Sequence, residues 1–317
     1  MAAPIQTIMT WHLHTLSPAA RAISASRRTD IPALYAPWFQ ARLKAGWAEY
    51  IPAGPPRRCR VSLLPQDVLW FVLWTRWPQP FEAALDELVR RRFPVLCNLT
   101  LTGLGGTPVE PGSPPMDRAL SAAHAMLDRL PPGAVQWRYD PVFLSDRYDP
   151  GFHLSRFATL ADSLAPRVDR VAISFVQPYG RRVAPDLRRY AIEHEDPPTP
   201  ADDPRCVELA RGLQRLARER GLELVVCASE ALRQDLEARP AGCDQFGWAA
   251  RAYPELAVIR APKARPTRPG CTCCAEVDIG VYDTCTLGCR YSYGSCDRST
   301  AKKRWARHDP SGPCLIP

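Results

Sequence analysis

Cysteine is concentrated near the carboxyl end of this 317-residue chain. Six of its twelve cysteines lie close together, namely Cys271, Cys273, Cys274, Cys285, Cys289 and Cys296. The first residues contain no basic stretch followed by an apolar one, so we predict no secretory signal and expect reduced thiols. Thiolates are soft ligands that suit iron–sulfur clusters and zinc. The pattern therefore predicts a metal centre rather than a set of disulfides.

The later cysteines of this segment fit an iron–sulfur site. Radical-SAM enzymes use the motif C-x3-C-x2-C, whose three thiolates leave one iron open to the amino and carboxylate groups of S-adenosylmethionine. Cys285 and Cys289 match the first two positions, whereas Ser292 occupies the third. A serine hydroxyl is harder to deprotonate and a harder ligand than a thiol. The other candidates for the third ligand are Cys296, Cys274 and Cys273.

A structural zinc site is the alternative interpretation. Cys271 and Cys274 form one C-x2-C pair, and Cys285 and Cys289 form a second pair ten residues later. Four thiolates in two such pairs satisfy tetrahedral zinc, as in a zinc ribbon. Reduced thiols without any metal are a third interpretation, which the serine at position 292 leaves open.

Polar side chains follow most of the predicted strands, where α/β folds place their binding sites. Together they predict a pocket for a carboxylate or phosphate. The alternative is that Arg28–Asp30 and Arg138–Asp140 are ion pairs that only hold loops. We assign substrate or catalytic roles to Arg28, Asp30, Arg138 and Asp140. We assign cofactor binding to Arg27, Thr100, Thr102 and Ser174.

Strand-like and helix-like segments alternate along the chain. Apolar runs predict strands over 21–24, 68–75, 94–102, 134–139, 170–176 and 222–227. Helical patterns fall over 32–45, 81–92, 115–130, 151–164, 184–194 and 205–220. Such alternation predicts an α/β fold with a mainly parallel sheet. We expect a parallel barrel resembling a TIM barrel, complete or partial, with an open doubly wound sheet as the alternative.

The domain organisation follows from the proline-rich stretch Pro262–Gly270, which has the composition of a linker. We predict a TIM-like α/β barrel over 1–262 and a cysteine-rich, metal-binding segment over 263–317. Because that segment has few large apolar residues, we expect it to pack on the barrel rather than fold alone.

Composition narrows the classes of function. The formal net charge is +8, mostly from scattered arginines, which indicates a solvated basic surface and leaves nucleic acid or an acidic partner possible. No apolar run is long enough to cross a bilayer, so we expect no membrane partner and a cytoplasmic protein. The chain has no G-x-S-x-G, H-E-x-x-H or P-loop motif, which argues against the enzyme classes that these motifs define.

Several longer stretches resemble a bacterial family, domain-of-unknown-function family 1848. The stretches that carry the resemblance are ISASRRTDIPA from Ile23, VLWTRWP from Val72, LTLTGLG from Leu99, WRYDP from Trp137, ISFV from Ile173, DIGVYDTCTLGCRY from Asp278 and RHDPSGP from Arg307. The resemblance covers nearly the whole chain from Ile23. It implies membership and assigns no reaction.

The resemblance also bears on the metal. Cysteines at the carboxyl end of that family resemble the cluster motif of radical-SAM enzymes, as C-x-C followed by C-x3-C-x2-C. In this chain Cys271 and Cys273 match the first pair and Cys285 and Cys289 the next two, whereas Ser292 departs from the pattern. A motif after the last strand can reach the same barrel mouth as one after the first, because the two strands are neighbours.

The leading expectation is an iron–sulfur, radical-SAM-like enzyme. Its [4Fe–4S] cluster would be held by Cys285, Cys289 and a third cysteine, Cys296, with S-adenosylmethionine as cofactor. A small-molecule substrate and a reductant such as flavodoxin or ferredoxin would be its partners. The rival is a zinc-stabilised barrel protein that binds nucleic acid or an acidic partner. A metal-free hydrolase or lyase that uses only the arginines and aspartates is a third possibility.

Overall fold

The fold was analysed in a computed structural model that describes residues 16–52, 57–242, 246–266, 269–295 and 297–316. These residues form ten strands. They are β1 (Arg21–Ala25), β2 (Trp47–Tyr50), β3 (Cys59–Ser62), β4 (Val68–Thr75), β5 (Val95–Thr100), β6 (Val135–Val142), β7 (Arg170–Phe175), β8 (Glu223–Val226), β9 (Arg239–Pro240) and β10 (Val277–Asp278).

Eight of these strands form one parallel sheet, in the order β10-β1-β4-β5-β6-β7-β8-β9. The chain therefore has the α/β fold that its alternating pattern predicts. From β4 to β9 each strand pairs with the next one along the chain, and the last strand pairs with the first. That order is compatible with a barrel-like arrangement. Strands β2 and β3 form a separate antiparallel hairpin.

Helices connect the strands of the sheet. They are α1 (Ile31–Leu34), α2 (Ala36–Ala45), α3 (Glu82–Arg90), α4 (Met116–Leu127), α5 (Pro150–Leu164), α6 (Ala184–His194), α7 (Pro204–Glu219), α8 (Glu230–Asp235), α9 (Phe246–Ala252) and α10 (Arg298–Ala306). Aspartate side chains cap the first turns of four of them, at Asp30, Asp149, Asp203 and Asp297. Each carboxylate accepts a backbone N–H that the helix itself leaves unpaired. No helix among the described residues is long and apolar enough to cross a membrane.

The two faces of the sheet differ in chemistry. On the helix-covered face, the ring of Trp137 packs on Phe157 of α5, with centroids 4.8 Å apart. The preceding residue of β6, Gln136, faces the opposite side and donates to Asn98 of β5 over 3.1 Å. Because side chains alternate along a strand, the polar face continues to Arg138 at the carboxyl end of β6. The polar face of the sheet therefore leads to the carboxyl ends of the strands.

The structure corrects some predicted boundaries. The single helix expected over 32–45 is two helices interrupted at Tyr35, because Pro37 has no N–H to continue the first and instead begins the second. The sequence did not predict β2, β3, β9, α9, β10 or α10. Strands β9 and β10 have two residues each, which is too short for an alternating pattern.

The cysteine-rich segment is joined to the rest of the chain by backbone pairing. Strand β10 pairs with β1, in the register Ile23 with Val277. Further along, the carbonyl of Gly312 accepts from the indole of Trp38 over 3.0 Å, and the carbonyl of Ser311 accepts from Arg42 over 2.8 Å. The carboxyl end therefore lies against both the sheet and α2.

Candidate functional site

A cavity of about 190 Å³ opens at the carboxyl ends of β1, β4, β5, β6 and β7. The segment 285–294 from the cysteine-rich part of the chain forms its opposite wall. The structure brings most of the predicted site residues to this cavity: Arg27, Arg28, Asp30, Thr100, Arg138, Asp140, Ser174, Cys285 and Cys289. Thr102 instead lines a smaller neighbouring cavity.

Arg28 holds the junction between the first and last strands of the sheet. Its guanidinium donates to the carbonyls of Ile51, over 2.7 Å, and of Asp278, over 2.6 Å. Its Nε lies 3.3 Å from the Asp278 carboxylate. Arg27 pairs with Glu276 in the same junction. The suggested Arg28–Asp30 ion pair is therefore wrong, because Arg28 binds Asp278 of β10 instead.

Both carboxylate oxygens of Asp30 accept hydrogen bonds from backbone N–H groups. One carboxylate oxygen accepts the N–H of Ala33, over 2.9 Å, and so caps α1. The other accepts the N–H of Arg76 over 2.8 Å and ties the end of β4 to the same turn. Burial raises the pKa of Asp30 to about 6, although both hydrogen bonds oppose that shift.

Arg138 and Asp140 do form the predicted ion pair at the end of β6. The hydroxyl of Ser174 on β7 donates to the other oxygen of the Asp140 carboxylate. The Arg138 guanidinium lies over the ring of Trp74, 5.3 Å from its centroid, and 3.6 Å from the Cys227 sulfur. The neighbouring strands β6 and β7 thus share one polar wall of the cavity.

A second buried network was not predicted. The Glu110 carboxylate, 2% exposed, pairs with Arg76 over 2.9 Å and accepts from Thr102 over 2.6 Å. The phenol of Tyr291 donates to Glu110 and accepts from Arg76 over 2.8 Å. Arg76 was recognisable because it follows a strand. Glu110 lies in a proline-rich loop, where no local pattern marks it.

The cysteines fall into separate groups. Cys285 and Cys289 line the cavity together with Ser292. Burial raises the pKa of the Cys285 thiol to about 12 and also raises that of Cys289, whose sulfur lies 3.9 Å from the hydroxyl of Ser113. Cys296 lies outside the described residues.

The earlier cysteines pack elsewhere. Cys271 and Cys273 belong to a small apolar cluster with Val225 and Cys227, and Cys274 forms an isolated bridge with Ala264. Within the described ranges, no three His, Cys, Asp or Glu side chains lie where they could share a metal ion.

The fold and this cavity define an α/β protein with a polar pocket at the carboxyl ends of its parallel strands. Residues 22–294 match the family described as "Domain of unknown function (DUF1848)". The chain belongs to this family, as its motifs predicted. No curated protein matches it.

Among solved structures, the chain is similar to the pneumococcal virulence factor StrH, with 11% identity over 68% of this chain and 54% of that one. It is also similar to a structure of the tandem GH20 catalytic modules of the pneumococcal exo-β-D-N-acetylglucosaminidase StrH, with 11% identity over 68% and 55%. The TM-scores are 0.25 and 0.24. The chain spans about half the length of these structures.

Proposed function

We propose that this protein is a radical-SAM-like iron–sulfur enzyme that acts on a small molecule in the strand-end pocket. We also propose that the eight-stranded sheet is a partial TIM-like barrel, open between β9 and β10. The observation that carries the proposal is that Cys285 and Cys289 line the same cavity as Arg27, Arg138 and the other strand-end residues. Chemistry begun at the cysteines would therefore be within reach of a molecule bound at the strand ends.

The donor set at the cavity agrees with this proposal in position and partly in chemistry. Cys285, Cys289 and Ser292 follow the spacing of a three-ligand iron–sulfur motif and all line one wall of the cavity. Two of the three donors are soft sulfur atoms, and the third is a harder oxygen. Cys285, Cys289 and either Ser292 or Cys296 would hold the cluster. A bound cluster of this class supplies the electron for reductive cleavage of S-adenosylmethionine.

The polar wall suits the recognition of a small molecule with several hydrogen-bonding groups. Thr29 lines the cavity, and its buried hydroxyl has no hydrogen-bond partner among the described residues. A buried hydroxyl left unpaired is costly, so a bound molecule that accepts from it would be stabilised. Thr100 and Gln177 also line the cavity. They would add specificity at its rim.

The charges of the pocket favour a neutral or zwitterionic group over a free dianion. Four arginines line the cavity, and each is paired with a carboxylate: Arg27 with Glu276, Arg28 with Asp278, Arg76 with Glu110 and Arg138 with Asp140. Asp30 adds a fifth acidic group. Paired guanidinium groups attract an anion less strongly than free ones, because the nearby carboxylate opposes it. An amino acid moiety, with both signs of charge, matches this balance.

The first test measures iron, sulfide and zinc after anaerobic purification, with an absorption spectrum before and after addition of S-adenosylmethionine. We expect about four irons and four sulfides per chain and a spectral change with the cofactor. Cys285→Ala and Cys289→Ala should each abolish the iron. Cys59→Ala, on the separate hairpin, is the matched control and should retain it.

Ser292→Cys sharpens this test. If the cluster lies where we propose, a thiol at position 292 completes the three-cysteine motif and should raise iron occupancy and slow cluster loss in air. Cys296→Ala should then become tolerated in the Ser292→Cys background. Unchanged iron in Ser292→Cys would place the third ligand elsewhere.

Other metal contents would reject the proposal. One zinc per chain without sulfide would favour the rival function, in which Cys271, Cys274, Cys285 and Cys289 hold a structural site and the basic surface binds an acidic partner or nucleic acid. Absence of metal with chelator-insensitive activity would favour a hydrolase or lyase that uses the strand-end residues alone.

A further inference from the structure

Two exposed tyrosines lie at the mouth of the strand-end cavity. Tyr179, in the loop after β7, is 40% exposed, and Tyr293, in the cysteine-rich segment, is 37% exposed. Both line the cavity, and no other exposed large apolar side chain of the described residues does so. Aromatic surface left in water beside a concave polar site is typical of a place where a ligand packs.

The two tyrosines are held in position by hydrogen bonds between their loops. The Arg182 guanidinium donates to the carbonyl of Tyr293 over 2.8 Å and lies 3.3 Å from the Asp283 carboxylate. The N–H of Asp283 in turn donates to the carbonyl of Gly294 over 2.8 Å. A side chain at position 294 would meet the carbonyl oxygen of Arg28 at 2.7 Å, so glycine lets this loop approach the end of β1. The loops that carry the two rings are therefore joined before any ligand binds.

The angle between the two rings indicates what can pack on them. Their centroids are 5.8 Å apart and their planes are inclined by 73°, which is an edge-to-face contact. Rings at this angle form no parallel slot that would enclose both faces of a flat aromatic ligand. Each ring instead has a face that the other does not cover. Such a face, with a phenol hydroxyl at its edge, suits a ring that has apolar C–H groups on its faces and hydroxyls at its rim, as a sugar has.

Several hydrogen-bonding groups of the cavity have no partner in the described part of the chain. Thr100 and Gln177 line the cavity, and their side chains form no hydrogen bond with any described residue. Thr29 also lines it, and its buried hydroxyl is unpartnered in the same sense. Hydroxyl and amide groups both donate and accept hydrogen bonds. A ligand rich in hydroxyls satisfies such a set better than one with a single polar end, because each unpaired buried group costs free energy.

The ends of β5, β6 and β7 add acceptor positions that the protein does not fill. Arg138 and Ser174 each donate to one oxygen of the Asp140 carboxylate. Because a carboxylate has about four acceptor positions, Asp140 can accept about two further hydrogen bonds. Thr100 lies beside Arg138 in the register of β5 and β6, on the same face of the sheet. Neighbouring hydroxyls of one ring would therefore find an acceptor and a donor side by side.

We propose that the strand-end cavity binds a neutral sugar. Its apolar face packs on Tyr179 and Tyr293, and its hydroxyls bind Thr100, Asp140 and Gln177. The pairing of each cavity arginine with a carboxylate, described above, favours an uncharged ligand. The inference names the class of small molecule in the proposed function. It rests on that proposal for the location of the binding pocket and needs no metal at the cysteines.

Binding is measured first in the full-length protein, by saturation-transfer-difference NMR and by calorimetry. The probes are the methyl glycosides of glucose, galactose, mannose, xylose and N-acetylglucosamine. We expect at least one of them to bind with a Kd of about 10 mM or lower. The largest transfer should reach the C–H protons on one face of its ring. Failure of all five to bind at about 100 mM would overturn the inference.

Removal of one ring at a time tests the stacking surface. Tyr179→Leu and Tyr293→Leu keep an apolar side chain and should each weaken binding of the best glycoside about fivefold or more, because the flat face is lost. Tyr179→Phe keeps the ring and should weaken binding less than about twofold. The matched control is Trp305→Leu, since Trp305 is also 40% exposed but does not line the cavity. Equal losses in the control and the two tyrosine variants would refute the assignment to these rings.

Removal of one hydroxyl tests the polar wall. Thr100→Val keeps the shape of the side chain and should weaken binding about threefold or more, because a hydrogen bond to the sugar is lost. Thr159→Val is the control, since Thr159 is exposed on α5 and does not line the cavity. Circular dichroism establishes that each variant is folded. The same affinity in Thr100→Val as in the unchanged protein would count against the proposed contacts of the strand ends.

Two further probes define the ligand class. Glucose 6-phosphate should bind no more tightly than the methyl glucoside, because the arginines are already paired. Binding about tenfold tighter would identify an anion site and overturn the neutral sugar. Adenosine carries neighbouring hydroxyls on a ribose, together with a flat base that can stack on one tyrosine. Adenosine binding about tenfold tighter than every glycoside would show that the cavity serves a nucleoside and not a free sugar.

The outcomes separate this inference from the enzyme proposal. Glycoside binding in protein without iron supports the sugar site, while the iron–sulfur enzyme fails its own test. Iron and sulfide in protein that binds none of the glycosides overturns the sugar site and leaves the metal part of the proposed function intact.

Discussion

At the scale of single residues, the site is built from charges that neutralise one another. The carboxylate of Glu110, a residue that is 2% exposed, contacts three polar partners: Arg76, Thr102 and Tyr291. A buried ion pair is weak evidence of stability, but the loss of one partner leaves the other charge uncompensated. The loss of stability on breaking a pair therefore depends on how deeply that pair is buried.

Glu110→Gln tests that dependence. We expect the free energy of unfolding to fall by about 3 kcal/mol, because Arg76 remains buried beside a neutral amide. Glu223→Gln is the control, since its partner Arg239 is 72% exposed, and it should cost less than about 1 kcal/mol. Urea unfolding measures both. A similar small loss in the two variants would contradict the buried network.

His153 gives a pH dependence of known sign. It is fully buried, bonds to the phenol of Tyr139 and to the carbonyl of Phe143, and burial lowers its pKa from 6.5 to about 4. The imidazole of His153 is therefore protonated below pH 6.5 in the unfolded chain, but only below about pH 4 in the folded protein. Stability due to neutral His153 is complete above pH 6.5 and is lost as the pH falls towards 4, by about 3 kcal/mol.

Urea unfolding between pH 7 and pH 4 checks this expectation. His153→Gln should flatten that part of the profile, because glutamine does not titrate in this range. Phe157→Leu, which removes a ring from the same cluster around Tyr139, should lower stability equally at every pH. An unchanged slope in His153→Gln would assign the dependence to other groups.

At the scale of elements, the loop 103–115 after β5 fixes the cysteine loop in place. The N–H of Gly112 donates to the carbonyl of Leu287 over 2.9 Å, and the N–H of Arg290 donates to the carbonyl of Val109 over 3.0 Å. A side chain at position 112 would meet the Leu287 carbonyl oxygen at 2.5 Å. The two loops therefore approach as closely as backbone atoms allow.

Gly112→Ala should force the two loops apart. Because the opposing atom is backbone and cannot rotate away, we expect lower thermal stability and faster reaction of Cys285 and Cys289 with a thiol reagent. Gly247→Ala is the control, since a methyl group there meets no atom within 4 Å and the residue lies inside α9. Labelling followed by peptide mass analysis reports each cysteine. Unchanged labelling in Gly112→Ala would show that the loop contact is dispensable.

At the scale of the whole molecule, the carboxyl end completes structures begun near the amino end. Strand β10 covers the edge of β1, and the carbonyls of Ser311, Gly312 and Pro313 accept from α2 and β2. An uncovered edge strand exposes unpaired backbone groups, which destabilises the sheet and invites aggregation. The two predicted domains are therefore expected to be thermodynamically coupled.

A chain truncated to 1–262 tests this coupling. We expect it to lose cooperative unfolding or to aggregate, because β1 and the indole of Trp38 lose their partners. Circular dichroism and urea titration compare it with the full chain, and truncation after Ala306 is the milder control that keeps β10. An unchanged unfolding midpoint for 1–262 would mean that these residues fold as an independent unit.

Much of the fold could be predicted from local patterns. The strand over 68–75 was predicted with its observed bounds, and the helix over 184–194 likewise, because runs of apolar residues and helical periodicity are properties of neighbouring residues. The rule that pockets form at the carboxyl ends of parallel strands also predicted a common pocket for Arg138, Asp140 and Ser174, and all three line one cavity.

Tertiary structure alone decided the partners. Arg28 bonds to Asp278, 250 positions away, rather than to nearby Asp30, and Glu110 joins Arg76 and Tyr291 across three separate segments. The same holds for the contact of Trp305 with Tyr35. Amino-acid types and spacing fix which groups can ionise or bind metal. Which groups meet is fixed by the packing of segments that are distant along the chain. No local pattern of residues contains the free energy of those long-range contacts.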